Sequence, residues 1–169
     1  MFVVDRPAKL PKTAVYGGLN VQLEALFADE RDGLANCANL VALLYEALPD
    51  LNWAGFYFLR GDTLVLGPFQ GKVACVRIAL TRGVCGAAAR ERRTIVVPDV
   101  HAFPGHIACD AASRSEIVVP LLQGEQLFGV LDLDSPREGR FDQDDADGLR
   151  KSVQLLLAHS DLSRLFGAP

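Results

Sequence analysis

Two hairpin signatures constrain what this chain can fold into. Residues 53–59 (WAGFYFL) form an aromatic, apolar run that ends at Arg60-Gly61-Asp62, and residues 64–66 run back from that turn. Further along, residues 116–122 and 126–134 are two more apolar runs around Gly124. Short runs bounded by Gly and Asp read as strands joined by tight turns, and tight turns join antiparallel neighbours. Residues 73–80 and 94–97, the latter closed by Pro98, read as further strands.

Helical periodicity brackets these strands. Leu19, Leu23 and Leu26 predict a short helix over residues 19–27. A second is predicted over residues 31–48, with Leu34, Cys37, Ala38, Val41, Leu44 and Leu48 as its apolar stripe and Pro49 as its stop. Gly83 opens a short alanine-rich helix over residues 84–91. A long final helix starts near Asp142, with Ala146, Leu149, Val153, Leu156 and Ser160 as its stripe. This order predicts an α+β fold: a central, mainly antiparallel sheet flanked by N- and C-terminal helices. Those helices should cover one face, leaving the other to loops and a pocket.

The chain has 169 residues, half of them apolar and 22% charged, which fits one globular domain with a full core. The net charge of −4, with no basic stripe, argues against a nucleic-acid partner. No apolar run approaches the roughly 20 residues of a membrane span. Pro7, Pro11 and several charges sit where a signal peptide would need an apolar core. The expectation is a cytoplasmic protein with a loose leader.

Three cysteines carry the chemistry. Cys75, Cys85 and Cys109 form no CxxC pair, which argues against a structural zinc knuckle and an extracellular disulfide framework. The spacing of His106 and Cys109 also fits no usual zinc pair, so no metal site is expected. Thiol chemistry in a reducing compartment remains. Cys85 follows Gly83 at a helix start, where the helix dipole lowers a thiol pKa. Cys109 lies in the long irregular stretch 99–115, with His101 and His106. Cys37 reads as a small buried apolar residue.

Side chains alternate along a strand, so Trp53 and Tyr57 share a face, as do Asp132 and Asp134, and Glu116 opens the neighbouring strand. Two aromatics and up to three carboxylates can thus converge at one end of the sheet. Clustered carboxylates repel unless they bind a cation, such as an ammonium group, or share protons. A carboxyl with a raised pKa is a general acid at neutral pH. Plainer readings exist: core aromatics and solvated acids at strand ends. The run Asp142, Asp144, Asp145 and Asp147 is explained by capping and dipole complementarity at a helix start. The residues alone lead to a thiol enzyme with an acidic pocket.

The segments NWAGFYF, LVLGPFQGKVACVRI, RGVCGAAA, VPDVHAFPGHIACDAASRSEIVVPL and FGVLDLDSP resemble those of the free methionine-(R)-sulfoxide reductases, small enzymes built on a single GAF domain. The resemblance runs over residues 19–157. It implies a GAF domain over residues 19–166 after an N-terminal extension, residues 1–18. It also implies reduction of the free R sulfoxide to methionine without metal or organic cofactor. Thioredoxin would restore the enzyme, which would pair as a homodimer. Carried over by position, Cys109 matches the nucleophile, and Cys75 and Cys85 match the other redox cysteines, with Cys75 taken as the direct resolver and Cys85 as relay or alternative. Trp53, Tyr57, Glu116, Asp132 and Asp134 match substrate-pocket positions. Two rivals stay open: a ligand-binding GAF module that signals, and a thiol redox sensor.

Overall fold

The structure is a computed structural model and describes residues 10–105 and 110–163. His106, Cys109 and the first nine residues of the expected extension lie outside the described residues. The elements run α1 (Lys12–Phe27), α2 (Gly33–Ala47), β1 (Trp53–Arg60), β2 (Thr63–Gly71), β3 (Arg77–Ala79), α3 (Gly83–Glu91), β4 (Ile95–Val97), a 3-10 turn (Val100–Ala102), β5 (Ser115–Gln123), β6 (Gln126–Ser135) and α4 (Gln143–His159). The strands form a six-stranded sheet in the order β3-β2-β1-β6-β5-β4, with every neighbouring pair antiparallel. Both predicted hairpins are present, as β1–β2 and β5–β6.

Helices α1, α2 and α4 pack on one sheet face. Their core joins Leu19, Leu23, Phe27, Leu40, Leu44, Leu149 and Leu156 to Phe56, Ile117, Val119, Leu131 and Leu133 of the strands. The predicted stripe of α4 is correct through Leu156, while Ser160 is its C-cap. Asp142 caps that helix, accepting from the N–H groups of Asp144 and Asp145, and Asp145 returns the bond to Asp142 N, a full capping box.

Three local expectations are corrected. Helix α1 starts at Lys12, not Leu19. The Gly17-Gly18 pair lowers helix propensity there, but Tyr16 anchors the first turn: it is buried and its hydroxyl donates to Asp145 Oδ1 at 2.9 Å. The Tyr16 ring lies so close to Gly148 of α4 that any side chain at 148 would overlap it. In α2 the stripe is rotated. Leu34 is 50% exposed and Ala38 is exposed, while Gly33, Asn36, Cys37, Leu40, Val41 and Leu44 face inward. Gly33 abuts Leu162 and the backbone of Asp161, and Asn36 Nδ2 donates to Glu30 O at 3.0 Å and Ser160 Oγ at 2.9 Å. These contacts with the chain's far end set the helix rotation. Finally, β3 is shorter than the predicted 73–80, because residues 72–76 leave the sheet.

The second sheet face carries a smaller core built from Trp53, Tyr57, Val118, Val130, Ile78 and the Val84, Cys85 and Ala88 side of α3. A pocket opens at the start of α3, beside Gly83, Val84 and Cys85.

Candidate active site

Strand register assembles the site. Trp53 lies opposite Asp134 and Gly55 opposite Asp132 across β1–β6, and Glu116 lies opposite Asp134 across β5–β6. Directly opposed residues share a face, so Trp53, Tyr57, Asp132, Asp134 and Glu116 all point away from the helical layer. Together with Cys85 they line one pocket. The convergence expected from alternation is what the structure shows.

Trp53 and Tyr57 are both core residues and pocket walls, at 4% and 2% exposure. The Trp53 ring stacks on Tyr57 at 5.8 Å and on Phe69 at 5.6 Å between centroids. It lies across Gly55, where an added Cβ would overlap the indole and come within 2.5 Å of Phe69 Cβ. Trp53 Nε1 donates to Lys72 O at 3.1 Å, and Tyr57 OH donates to Cys75 O at 3.1 Å. The two aromatics thereby pull residues 72–76 off the sheet and hold Cys75, half-buried, at the rim.

Beneath them the pocket is acidic and its carboxylates are largely buried. Glu116 and Asp132 are each 6% exposed, and Asp134 is partly exposed. Burial raises Asp132 to about 7, against the hydrogen bonds from Cys85 and Glu116 that favour its charged form. Glu116 is raised well above the carboxylate range, first by burial and then by the charges of Asp132 and Asp134. Asp134 is raised by burial and by Asp132 and Asp110. Asp132 Oδ1 is buried without a hydrogen-bond partner among the described residues. A cluster of this kind holds protons at neutral pH and offers an orphaned acceptor to a donor that enters.

The helix-start expectation of a lowered Cys85 thiol pKa is reversed. Its Sγ lies 3.3 Å from Asp132 Oδ2, and the thiol is buried. Burial, then the charges of Asp132 and Glu116, push it well above the ordinary thiol value. The dipole of a nine-residue helix does not outweigh the buried acids facing it. Cys85 is a protonated thiol donor in this geometry and not a thiolate. Cys37 is buried in the helical core, and burial pushes its thiol up as well, far from any acid–base work.

Sequence reasoning missed a polar brace beside the pocket. Asp110 accepts from Ala112 N at 3.0 Å, Lys72 Nζ at 3.2 Å and Asn52 Nδ2 at 3.2 Å, and Asn52 Nδ2 also donates to Ser113 Oγ at 2.9 Å. The Ala112 N–H and then Lys72 hold the Asp110 carboxyl below its ordinary range. This brace ties the residue after Cys109 to the segment bearing Cys75. Its one local part is the Asx turn in which Asp110 Oδ1 accepts from Ala112 N. His101 sits in the 3-10 turn, exposed, with its N–H bonded to Asp99 Oδ1.

Comparison with known proteins agrees with this geometry. The family model described as the GAF domain matches residues 37–156. Free methionine-R-sulfoxide reductase of Escherichia coli is 55% identical over 160 residues, covering 93% of this chain and 97% of the relative. Its namesake in Saccharomyces cerevisiae is 40% identical over 161 residues, covering 90% of this chain and 89% of the relative. The X-ray structure of free methionine-R-sulfoxide reductase from Neisseria meningitidis in complex with its substrate superposes with a TM-score of 0.90 at 45% identity, covering 98% of this chain and 99% of that one. A fold, a pocket and relatives that coincide over nearly the whole chain place this protein in the GAF domain family and, within it, among the free methionine-R-sulfoxide reductases, which are oxidoreductases.

Proposed function

We propose that this protein reduces free methionine-(R)-sulfoxide to methionine by thiol chemistry. The observation that carries the reading is the convergence of Glu116, Asp132, Asp134 and Cys85 under the Trp53 ring in one pocket, where burial favours the protonated acids.

Sulfoxide reduction needs a nucleophile at sulfur and protons at oxygen. The Cys109 thiolate attacks the sulfoxide sulfur, the S–O bond breaks, and the oxygen ends on Cys109 as a sulfenic acid while methionine leaves. Glu116, raised by burial and by Asp132 and Asp134, supplies the proton that the oxygen needs. A second thiol then attacks the sulfenic sulfur, releasing water and forming a disulfide. Cys75 serves as that resolver, since it sits at the rim while Cys85 is buried and bonded to Asp132. A thioredoxin-type dithiol takes over the disulfide and returns both thiols. The sequence as written balances without a metal or organic cofactor. The working form is taken to be a cytoplasmic homodimer.

The same cluster selects a free amino acid. The substrate ammonium donates to Asp132 Oδ1 and Asp134, while the thioether end packs on Trp53. An internal methionine of a peptide has no ammonium and leaves those oxygens unpaired, at a cost of about 1–3 kcal/mol or more.

The test is turnover with thioredoxin, thioredoxin reductase and NADPH, offered free methionine-R-sulfoxide, the free S epimer and peptide-bound R-sulfoxide. NADPH loss with the free R epimer alone, abolished in Cys109→Ser, is the expected result. Equal turnover of the peptide, or none of the three, overturns the reading.

A further inference from the structure

The acidic pocket has a second property beside the proposed reduction. The ligand atoms of Cys85, Glu116 and Asp132 all lie within 4.8 Å of one another. They come from three elements, α3, β5 and β6, so the cluster is fixed by the fold and not by a loop. One thiol with two carboxylates is a soft-plus-hard donor set that suits zinc better than magnesium or calcium, which take oxygen alone. Around a tetrahedral zinc, ligand atoms at about 2.0–2.3 Å from the metal stand about 3.3–3.8 Å apart. The Cys85 Sγ to Asp132 Oδ2 distance of 3.3 Å stands at the short end of that spacing. Asp132, 6% exposed, turns into the pocket an Oδ1 that no described residue satisfies. That orphaned oxygen is independent of the clustering, and it asks for a cation or a donor.

We propose that Cys85, Glu116 and Asp132 form a three-ligand site for zinc or a similar soft divalent cation, with its fourth position open to the pocket. On binding, the thiol and carboxyl protons pass to solvent and three metal–ligand bonds form, with no change of oxidation state. The metal occupies the space assigned above to the substrate ammonium and sulfoxide oxygen. It is therefore an inhibitor that competes with substrate, and not a cofactor. That consequence rests on the proposed function; the binding site itself does not.

The test is titration of the reduced, metal-free protein with cadmium, read by thiolate-to-metal charge-transfer absorption, and with zinc, read by calorimetry. One ion per chain, with the absorption lost in Cys85→Ser and kept in Cys75→Ser and Cys109→Ser, is expected. Asp132→Asn, which keeps the side-chain volume, should weaken zinc at least about tenfold, and it stands in if Cys85→Ser does not fold. Free methionine-R-sulfoxide should displace the ion. Absorption that survives Cys85→Ser, or binding unaffected by Asp132→Asn, overturns the site. Binding at the site with no displacement by substrate leaves the site and overturns competition. Failure of the turnover assay above would strike the proposed function and leave the titration interpretable.

Discussion

Two buried acidic groups on opposite sides of one sheet show what burial does to a carboxylate. On the helical side, Asp145 is fully buried and surrounded by donors: Lys12 Nζ, Arg140 NH1 at 3.0 Å, Tyr16 OH at 2.9 Å and Asp142 N at 3.0 Å. Two cations, a hydroxyl and a backbone N–H saturate it, so it is an anchor joining α1 to the start of α4. On the pocket side, Asp132 is buried among Glu116, Asp134 and the Cys85 thiol, with no cation bonded to it among the described residues and one oxygen without a described partner. The same residue type, buried on both sides, is held by donors in one place and set among other acids in the other.

The sharpest way to break this contrast is to remove each acid in turn. Glu116→Gln should lower kcat about 100- to 10,000-fold, as loss of a general acid does, while thermal unfolding shows no loss of stability. Asp145→Ala should do the reverse. Stranding the buried Arg140 should cost about 3–5 kcal/mol of stability, with kcat per folded molecule unchanged. If Asp145→Ala lowered kcat in the folded protein, or Glu116→Gln unfolded it, the division between anchor and proton donor would fail.

Smaller effects sharpen it. Gly55→Ala drives a methyl into the Trp53 ring and Phe69. It should cost about 1–3 kcal/mol as overpacking and raise KM for the sulfoxide, measured by denaturation and steady-state kinetics. Asp142→Ala removes the capping box of α4 and should cost about 0.5–2 kcal/mol with no kinetic change.

The pH dependence has opposite signs at Asp132 and at the helix cap Asp142. Asp132 moves from 3.8 to about 7 on folding, so its contribution to stability is fully present below pH 3.8 and is lost as pH rises toward 7. Asp142 is lowered, chiefly by its bond to Lys12, so its contribution is present above the ordinary carboxylate range and lost in acid. Urea midpoints measured from pH 4 to 8 should therefore fall less with rising pH in Asp132→Asn than in the unmodified protein. A slope that persists unchanged would contradict the raised Asp132 pKa.

What the sequence revealed and what it hid follow from range. The hairpins, the face shared by Trp53, Tyr57, Asp132 and Asp134, and the stripe of α4 are set by neighbours two to four residues apart, and all were legible. The start of α1 was hidden because Gly17 and Gly18 argue locally against a helix, while the anchor of Tyr16 is 129 residues away at Asp145. The rotation of α2 depends on Leu162 and Ser160. Cys85 misled for the same reason: its position at a helix start is local, and the acids that override the dipole arrive from β5 and β6. The brace of Asn52, Lys72 and Asp110 joins three separate segments and has no spacing to read.

The most direct measurement is a single turnover without any external reductant. Fully reduced protein is mixed with excess free methionine-R-sulfoxide, and methionine formed and thiols lost are counted together. One methionine and two thiols per chain, formed much more slowly by Glu116→Gln, is the result expected of a thiol enzyme supplied by a buried acid. Methionine without thiol loss, or an undiminished rate in Glu116→Gln, would contradict it.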